Sequence, residues 1–260
     1  TPVSAIEGVE DRALFSELVG RLGLHQPINR MAGTVDDVYR CAEEIGYPVL
    51  LRPSYVLGGR SMVIAYNREE LEQFLAQGVV IRQDQPVLVD QFLEDAFEYD
   101  IDAISDGTNV YVGGIMQHIE AAGVHSGDSA CVFPPYKSSP ELLERMQHAA
   151  AEIARDLGVC GFLNIQFAVQ DGFLYVLEVN PRASRTVPFL SKASGVDLVD
   201  AVVKVWLGQD LVQQGLVPAE AADRAATGTC VVGWAVKEAM FSFDRFRDHD
   251  PLLGPEMKST

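Results

Sequence analysis

Positive charge is scarce in this chain. Lys and Arg together number 20 against 37 Asp and Glu, for a formal net charge of −17. Polyanions and anionic bilayers repel such a surface, which excludes a broad nucleic-acid interface or a membrane-surface role. Long apolar runs are missing too: none reaches the roughly 20 residues that a membrane-spanning helix needs. Cysteine occurs four times, at Cys41, Cys131, Cys160 and Cys230, among apolar neighbours and without metal-ligand spacing. These read as unbridged, buried thiols of a reducing compartment. The opening TPVSAIEGVEDR is acidic and lacks the basic-then-apolar layout of a signal peptide, so a cytoplasmic setting is the expectation. Two common phosphate-binding signatures are also absent. No G-x-G-x-x-G joins a strand to a helix, and there is no G-x-x-x-x-G-K-[ST] loop.

What is present is a chain of 260 residues, 48% apolar, long enough for one large domain or two small subdomains. Periodicity predicts a helix over 9–22 with Leu14, Leu18 and Leu22 on one stripe, and a second helix capped by Thr34, carrying Val38, Ala42 and Ile45 and stopping at Gly46. Strands 49–53 and 61–66 form a hairpin through Gly58-Gly59. Asn67 with Glu70 forms a capping pair for a helix over 68–76. Strands follow at 86–93, 98–105 and 110–119, then an irregular Gly-rich stretch over 121–135. Pro140, after Ser139, starts a helix that ends at Gly158. Strands 163–170 and 173–180 make another hairpin, Asp197 opens a helix with Val202, Val205 and Trp206, and 231–237 reads as a late strand. Strands that pair through hairpins, with helices interspersed, indicate an α+β plan with mainly antiparallel sheets.

Two stretches carry chemistry. The first is VLLRPSYVLGGRSMVIAY, 49–66, where Arg52 and Arg60 flank a glycine pair inside an apolar hairpin. A guanidinium beside a core is costly unless something negative pairs with it, so an anion is expected there. The second is LNIQFAVQDGFLYVLEVNPRASR, 163–185. A two-residue Asp171-Gly172 turn would set Gln166 opposite Leu177 and Ile165 opposite Glu178, mixing the faces. A three-residue loop, 171–173, pairs Val169 with Tyr175, Phe167 with Leu177 and Ile165 with Val179, apolar against apolar. It also sets Gln166 opposite Glu178, with Asn164 and Asn180 beside them. Oxygen donors without His or Cys suit a hard cation such as Mg2+ or Mn2+. The same face also reads as an ordinary solvated strand face. Arg182 and Arg185, next in the chain, favour the first reading, since cations and metal-ligand oxygens together are what a polyphosphate requires. On strand 98–105, Tyr99, Ile101 and Ala103 face one way and Glu98, Asp100 and Asp102 the other. Asp100 and Asp102 are expected on a solvated sheet face, and Asp128 has no assigned place.

With these stretches read, the chain resembles ATP-grasp domains. The likeness is closest to the second, carbamate-phosphorylating domain of the carbamoyl-phosphate synthetase large-subunit family. The matching segments are EDRALF (10–15), EIGYPVLLRPSYVLGGRSM (44–62), GGIMQHIEAAGVHSGDSA (113–130), NIQFAV (164–169), LEVNPRASRTVPFLSKASGV (177–196) and DPLLGPEMKST (250–260). The resemblance implies two α+β subdomains clasping ATP. About 30–90 would form the smaller, flap-bearing one; 1–29 and 91–260 would form the larger, with the metal site; the family's flanking domains would be absent. It implies that Arg12 and Arg52 contact the ATP phosphates, that Gly58 and Gly59 form the flap, and that Gln91 and Leu93 lie beside the adenine. Glu98 would bind the ribose, and Gly123, Val124, His125 and Ser126 would touch the nucleotide. Gln166, Glu178 and Asn180 would hold Mg2+ or Mn2+, and Arg182 and Arg185 the transferring phosphate or the substrate. The implied reaction is ATP-dependent phosphorylation of carbamate to carbamoyl phosphate, for arginine and pyrimidine biosynthesis. Its partners would be a glutamine-hydrolysing small subunit and the remaining large-subunit domains. The alternatives are the bicarbonate-phosphorylating half, another ATP-grasp ligase, or a nucleotide-binding module without catalysis.

Overall fold

The computed structural model describes residues 1–53, 62–76, 81, 86–219, 226–243 and 251–259. They fall into two compact units. Unit 1 comprises 1–26, 97–119 and 130–237; unit 2 comprises 27–96, 120–129 and 238–260. Where the sequence suggested one contiguous insert, two further pieces therefore group with it. Among the described residues no helix is long and apolar enough to cross a membrane.

Unit 1 begins with two helices where the periodicity predicted one. Asp11 takes an extended conformation and its carboxylate accepts from Ala13 N and Leu14 N, at 2.8 and 3.0 Å. That cap ends α1 (Val3–Glu10) and starts α2 (Arg12–Arg21). The break also turns the buried stripe: Phe15, Leu18 and Val19 enter the core, while Leu14 is exposed.

The four-stranded sheet of unit 2 is ordered β1-β4-β2-β3, from β1 (Asn29–Ala32), β2 (Val49–Pro53), β3 (Val63–Ala65) and β4 (Val87–Gln91). The helices α3 (Val35–Ile45) and α4 (Arg68–Ala76) cover it. Thr34 accepts from Asp37 N, Gly46 closes α3 at φ +88°, and Glu70 N donates to Asn67 Oδ1 as the capping pair predicted. Val38, Ala42 and Leu71 pack on Val49, Leu51, Val87 and Val89. Gly58, Gly59 and Arg60 lie outside the described residues.

The larger sheet belongs to unit 1. Its strands are β5 (Phe97–Asp106), β6 (Val110–His118), β7 (Cys131–Phe133), β8 (Cys160–Gln170), β9 (Phe173–Asn180), β10 (Ala226–Thr227) and β11 (Ala235–Lys237). The order is β11-β7-β6-β5-β8-β9, all antiparallel, with β10 added parallel to β6. The strand expected over 231–237 shrinks to its last three residues. Helices cover both faces: α2 and α5 (Pro140–Asp156) on one, α6 (Val187–Ser194) and α7 (Leu198–Trp206) on the other.

On the first face Phe15, Leu18, Met146 and Ile153 pack on Ile101, Ile165, Phe167 and Val179. Each such side chain contributes about 1.5–3 kcal/mol by leaving water. On the second face Leu190, Leu198 and Val202 pack on Ile104, Met116 and Phe133. Gly114 admits α6 there, since a Cβ would stand 2.5 Å from Leu190 and 2.9 Å from Phe133. That apolar face gives way to polar residues along β5 at Asp102, and the candidate site starts at this boundary.

Candidate metal and phosphate site

The hairpin of β8 and β9 corrects the predicted turn and keeps the predicted face. Asp171 and Gly172 have φ of +52° and +81°, the left-handed pair of a two-residue hairpin turn, and Gln170 pairs with Phe173. From the turn the ladder runs Val169 to Leu174 and Phe167 to Val176. It then shifts by one residue, and Gln166 pairs with Glu178, Ile165 with Val179 and Asn164 with Asn180. Leu177 is the extra residue, a β-bulge. The three-residue loop was inferred on the assumption of an unbroken ladder. The bulge instead reconciles a tight turn with apolar partners on both sides of it. Without it Glu178 and Val179 would exchange faces.

Register across three strands then gathers the polar residues. Asp100 pairs with Gln166 and Gln166 with Glu178; one step along, Asp102 pairs with Asn164 and Asn164 with Asn180. Directly opposed residues share a face, with Cβ atoms about 4.5–5.5 Å apart. Asn180 Nδ2 donates to Glu178 Oε1 at 2.9 Å, and Arg182 Nη2 donates to Asn180 Oδ1 at 3.2 Å. Arg182 N also donates to the Asn180 carbonyl at 2.8 Å. The sequence thus brought together Gln166, Glu178, Asn180 and Arg182, and the structure joins the last three in one hydrogen-bonded chain. Arg185 is exposed on the following loop. The donor set fits a hard divalent cation: carboxylate and amide oxygens on one face, with a guanidinium beside them for an anionic ligand.

Asp100 and Asp102 correct the expectation of a solvated face, for they are 4% and 2% exposed. Each has partners that burial demands. Asp100 Oδ2 lies 3.1 Å from His118 Nε2, and Glu98 Oε2 is 3.4 Å from His118 Nδ1. Burial alone would lower the His118 pKa. Its bonds to Asp100, Cys131 and Glu98 outweigh that and hold it well above the ordinary value. His118 thus lies between two carboxylates that favour its charged form, and ligand atoms of Asp100, His118 and Cys131 sit within 4.8 Å of one another. Glu98, expected at the ribose, is largely buried as one arm of this ion pair.

Asp102 accepts from Asn164 Nδ2 at 3.1 Å and from Thr186 Oγ1. Burial pushes its pKa up to about 6, against the donors Thr186, Ser184 and Asn164 that pull it down. Thr186 is the residue before α6, yet its side chain makes no cap bond to that helix. A Thr cap is worth about 1 kcal/mol, and here the hydroxyl serves Asp102 instead.

Unit 2 holds most of the other predicted residues. Arg52 meets its anion inside the protein: Nε donates to Asp90 Oδ2 at 2.5 Å, and Asp90 is 7% exposed at its side chain. Gln91 Oε1 accepts from Ile28 N at 3.3 Å, and Leu93 is buried just beyond β4. The loop carrying Gly123, Val124, His125 and Ser126 folds on itself. Gly127 N donates to His125 Nδ1 at 3.0 Å, and Asp128 N and Ser129 N donate to the His125 carbonyl. Gly123, at φ +92°, lies where a Cβ would strike Ile64 and Phe92 at 2.9 Å. Asp128, unassigned from sequence, is buried and accepts from Lys258 N and Ser259 N at 2.7 and 2.8 Å. Arg12, in unit 1, is the first residue of α2. Of the residues that sequence reasoning passed over, the acidic alternation of β5 was a visible signal for Asp100 and Asp102. Nothing local marked Asn164 or Thr186 as their partners.

Comparison with known proteins places these features in a wider set. The family described as carbamoyl-phosphate synthase L chain, ATP binding domain, matches residues 11–214. The carbamoyl phosphate synthase large chain of Pasteurella multocida is 49% identical over 261 residues, covering 100% of this chain and 24% of the relative. That of Micrococcus luteus is 52% identical over 270 residues, covering 100% and 24%. The chain thus spans about a quarter of the length of these curated relatives. Among solved structures, the biotin carboxylase domain of Hydrogenobacter thermophilus 2-oxoglutarate carboxylase, in complex with MgADP, ADP and bicarbonate, superposes with a TM-score of 0.73. The identity is 22%, over 95% of this chain and 54% of that one. Campylobacter jejuni biotin carboxylase gives 0.64 at 19% identity, over 77% and 46%. These two share the α+β ATP-grasp fold.

Proposed function

Because this chain belongs to the family of the carbamoyl-phosphate synthase L chain ATP-binding domain, we propose that it phosphorylates carbamate from ATP, as part of a larger ATP-dependent ligase. The observation that carries the reading is the face on which Gln166, Glu178 and Asn180 lie in register with Arg182 bonded to Asn180. Gln166, Glu178 and Asn180 would hold Mg2+, and Mn2+ in its place. Bound there, the ion would supply charge neutralisation for the phosphates.

Phosphoryl transfer needs positioning and electrostatic stabilisation more than covalent help from the protein. A carbamate oxygen bonds to the γ-phosphorus as the bond from phosphorus to the ADP oxygen breaks, giving carbamoyl phosphate and ADP. Carbamate is already an anion, so no general base is required. Arg182 and Arg185 would hold the transferring phosphoryl group, Arg182 being oriented by Asn180. Arg12 and Arg52 would bind ATP phosphates, with Asp90 fixing the Arg52 fork from behind. Gly58 and Gly59 would form the covering flap. Gly123, Val124, His125 and Ser126 would touch the nucleotide, Gln91 and Leu93 would flank the adenine, and Glu98 would meet the ribose. The segment RPSYVLGGR (52–60) with DPLLGPEM (250–257) favours carbamate over bicarbonate as acceptor. A glutamine-hydrolysing subunit and further large-chain domains are the partners this reading calls for.

The complete protein, given MgADP and carbamoyl phosphate, is expected to make ATP, and Glu178→Ala to abolish it. ADP release stimulated by bicarbonate with no ATP synthesis would assign the bicarbonate half instead. Tight MgATP binding without turnover for either acceptor would make it a binding module.

A further inference from the structure

The loop 181–185, which carries both arginines, hangs between two anchors. At one end Arg182 N donates to the Asn180 carbonyl at 2.8 Å. At the other, Thr186 Oγ1 donates to Asp102 Oδ2, Ser184 Oγ lies 2.6 Å from Thr186 Oγ1, and Thr186 N donates to Ser184 Oγ at 3.1 Å. Asp102 itself is fixed from β8 by Asn164, whose Nδ2 also donates to the Ile101 carbonyl at 3.3 Å. Asn164 in turn is the cross-strand partner of Asn180. The anchors are therefore linked to each other through the sheet.

Three features set this apart from an ordinary buried hydrogen bond. A carboxylate 2% exposed at the centre of a sheet is costly to keep, and an apolar residue there would extend the Ile104 and Met116 packing. The threonine stands at the N-cap of its own helix, yet its hydroxyl makes no cap bond and reaches that carboxylate instead. And the bond closes the loop that carries Arg182 and Arg185. Local stability is given up at a point that fixes a functional segment, where such departures are expected.

We propose that Asp102 and Thr186, through Asn164 and Ser184, form a positioning device that holds Arg182 and Arg185 in place for the transferring phosphoryl group. Neither Asp102 nor Thr186 touches the reacting atoms; both act through the loop. The assignment rests on the phosphoryl-transfer reading above. With the loop untethered the arginines remain present but mis-set, so the chemical step suffers more than nucleotide binding. Misplacement by about 1 Å costs on the order of 100-fold in rate.

The test uses the complete protein with Thr186→Val, Thr186→Ser and Asp102→Asn. Each is measured for kcat in ATP synthesis from MgADP and carbamoyl phosphate, for MgADP affinity, and for amide hydrogen exchange over 181–186. Thr186→Val and Asp102→Asn are expected to lower kcat by about 10- to 100-fold with MgADP affinity within about twofold. Exchange over 181–186 should accelerate while β5 and β8 keep their protection. Thr186→Ser, which keeps the hydroxyl, should restore both kcat and protection. Equal kcat and exchange in wild type and Thr186→Val overturn the proposal. So does a loss that Thr186→Ser shares, or a general loss of protection across the sheet, which would mark a purely structural bond. If wild type makes no ATP, the functional reading fails, and the exchange arm still decides whether the tether exists.

Discussion

Glu178 and Asp90 show how one carboxylate differs from another in this protein. Glu178 is exposed, and its main partner is the amide of Asn180. Glu178→Gln should therefore change thermal stability by no more than about 0.5 kcal/mol while removing activity. Asp90 is buried against Arg52. Asp90→Ala leaves a guanidinium that is 27% exposed at its side chain without this anion, and roughly 1–3 kcal/mol should be lost in urea unfolding. Protonation gives a third test. Asp102 has a raised folded-state value of about 6, so its contribution to stability is complete below the ordinary carboxylate range and fades as pH rises through 6. The unfolding midpoint of wild type should fall relative to Asp102→Asn between about pH 4 and 6.5, and parallel pH curves would contradict this. His118, flanked by Glu98, Asp100 and Cys131, is also raised. Its contribution is full below its ordinary value and is lost only as pH climbs through the raised one. Its ring should stay protonated at pH 7.5 by NMR, where an unperturbed imidazole would be mostly neutral.

The β8–β9 hairpin shows what the sequence can and cannot reveal about an element. Its polar face and the pairing of Gln166 with Glu178 were legible, because alternation and apolar matching constrain register from one residue to the next; its first strand starts at Cys160, three residues before the expected 163. The bulge at Leu177 was not, since an extra residue leaves no compositional mark and is chosen by packing on both sides of it. The caps at Thr34, Asn67, Ser139 and Asp197 were equally legible, each satisfying backbone donors within three residues of itself. Short elements such as β1 and α6 went unread; their residues carry no period long enough to register. Gly172, at φ +81°, sets the turn. Gly172→Val should cost about 1–2 kcal/mol, measured by urea unfolding, with the ladder from Gln166 to Asn164 preserved.

At the scale of the molecule, acidity and chemistry meet. A chain with formal charge −17 concentrates carboxylates on a sheet face and sets guanidiniums at its margin. Such a face favours a divalent cation before it favours a phosphate, so nucleotide and metal should bind together. Partners far apart in the chain were not legible, because no local pattern reports on them. Asp128 illustrates the point: its partners, Lys258 and Ser259, lie 130 and 131 positions away.

The most direct measurement is an EPR titration of Mn2+ with and without ADP, on the complete protein and its Glu178→Gln and Gln166→Ala variants. A nucleotide-dependent Mn2+ site is predicted in the wild type, weakened by about tenfold or more in both variants at unchanged thermal midpoint. Variants that bind Mn2+ and ADP as tightly as wild type would contradict the account, for the cation would then be held elsewhere.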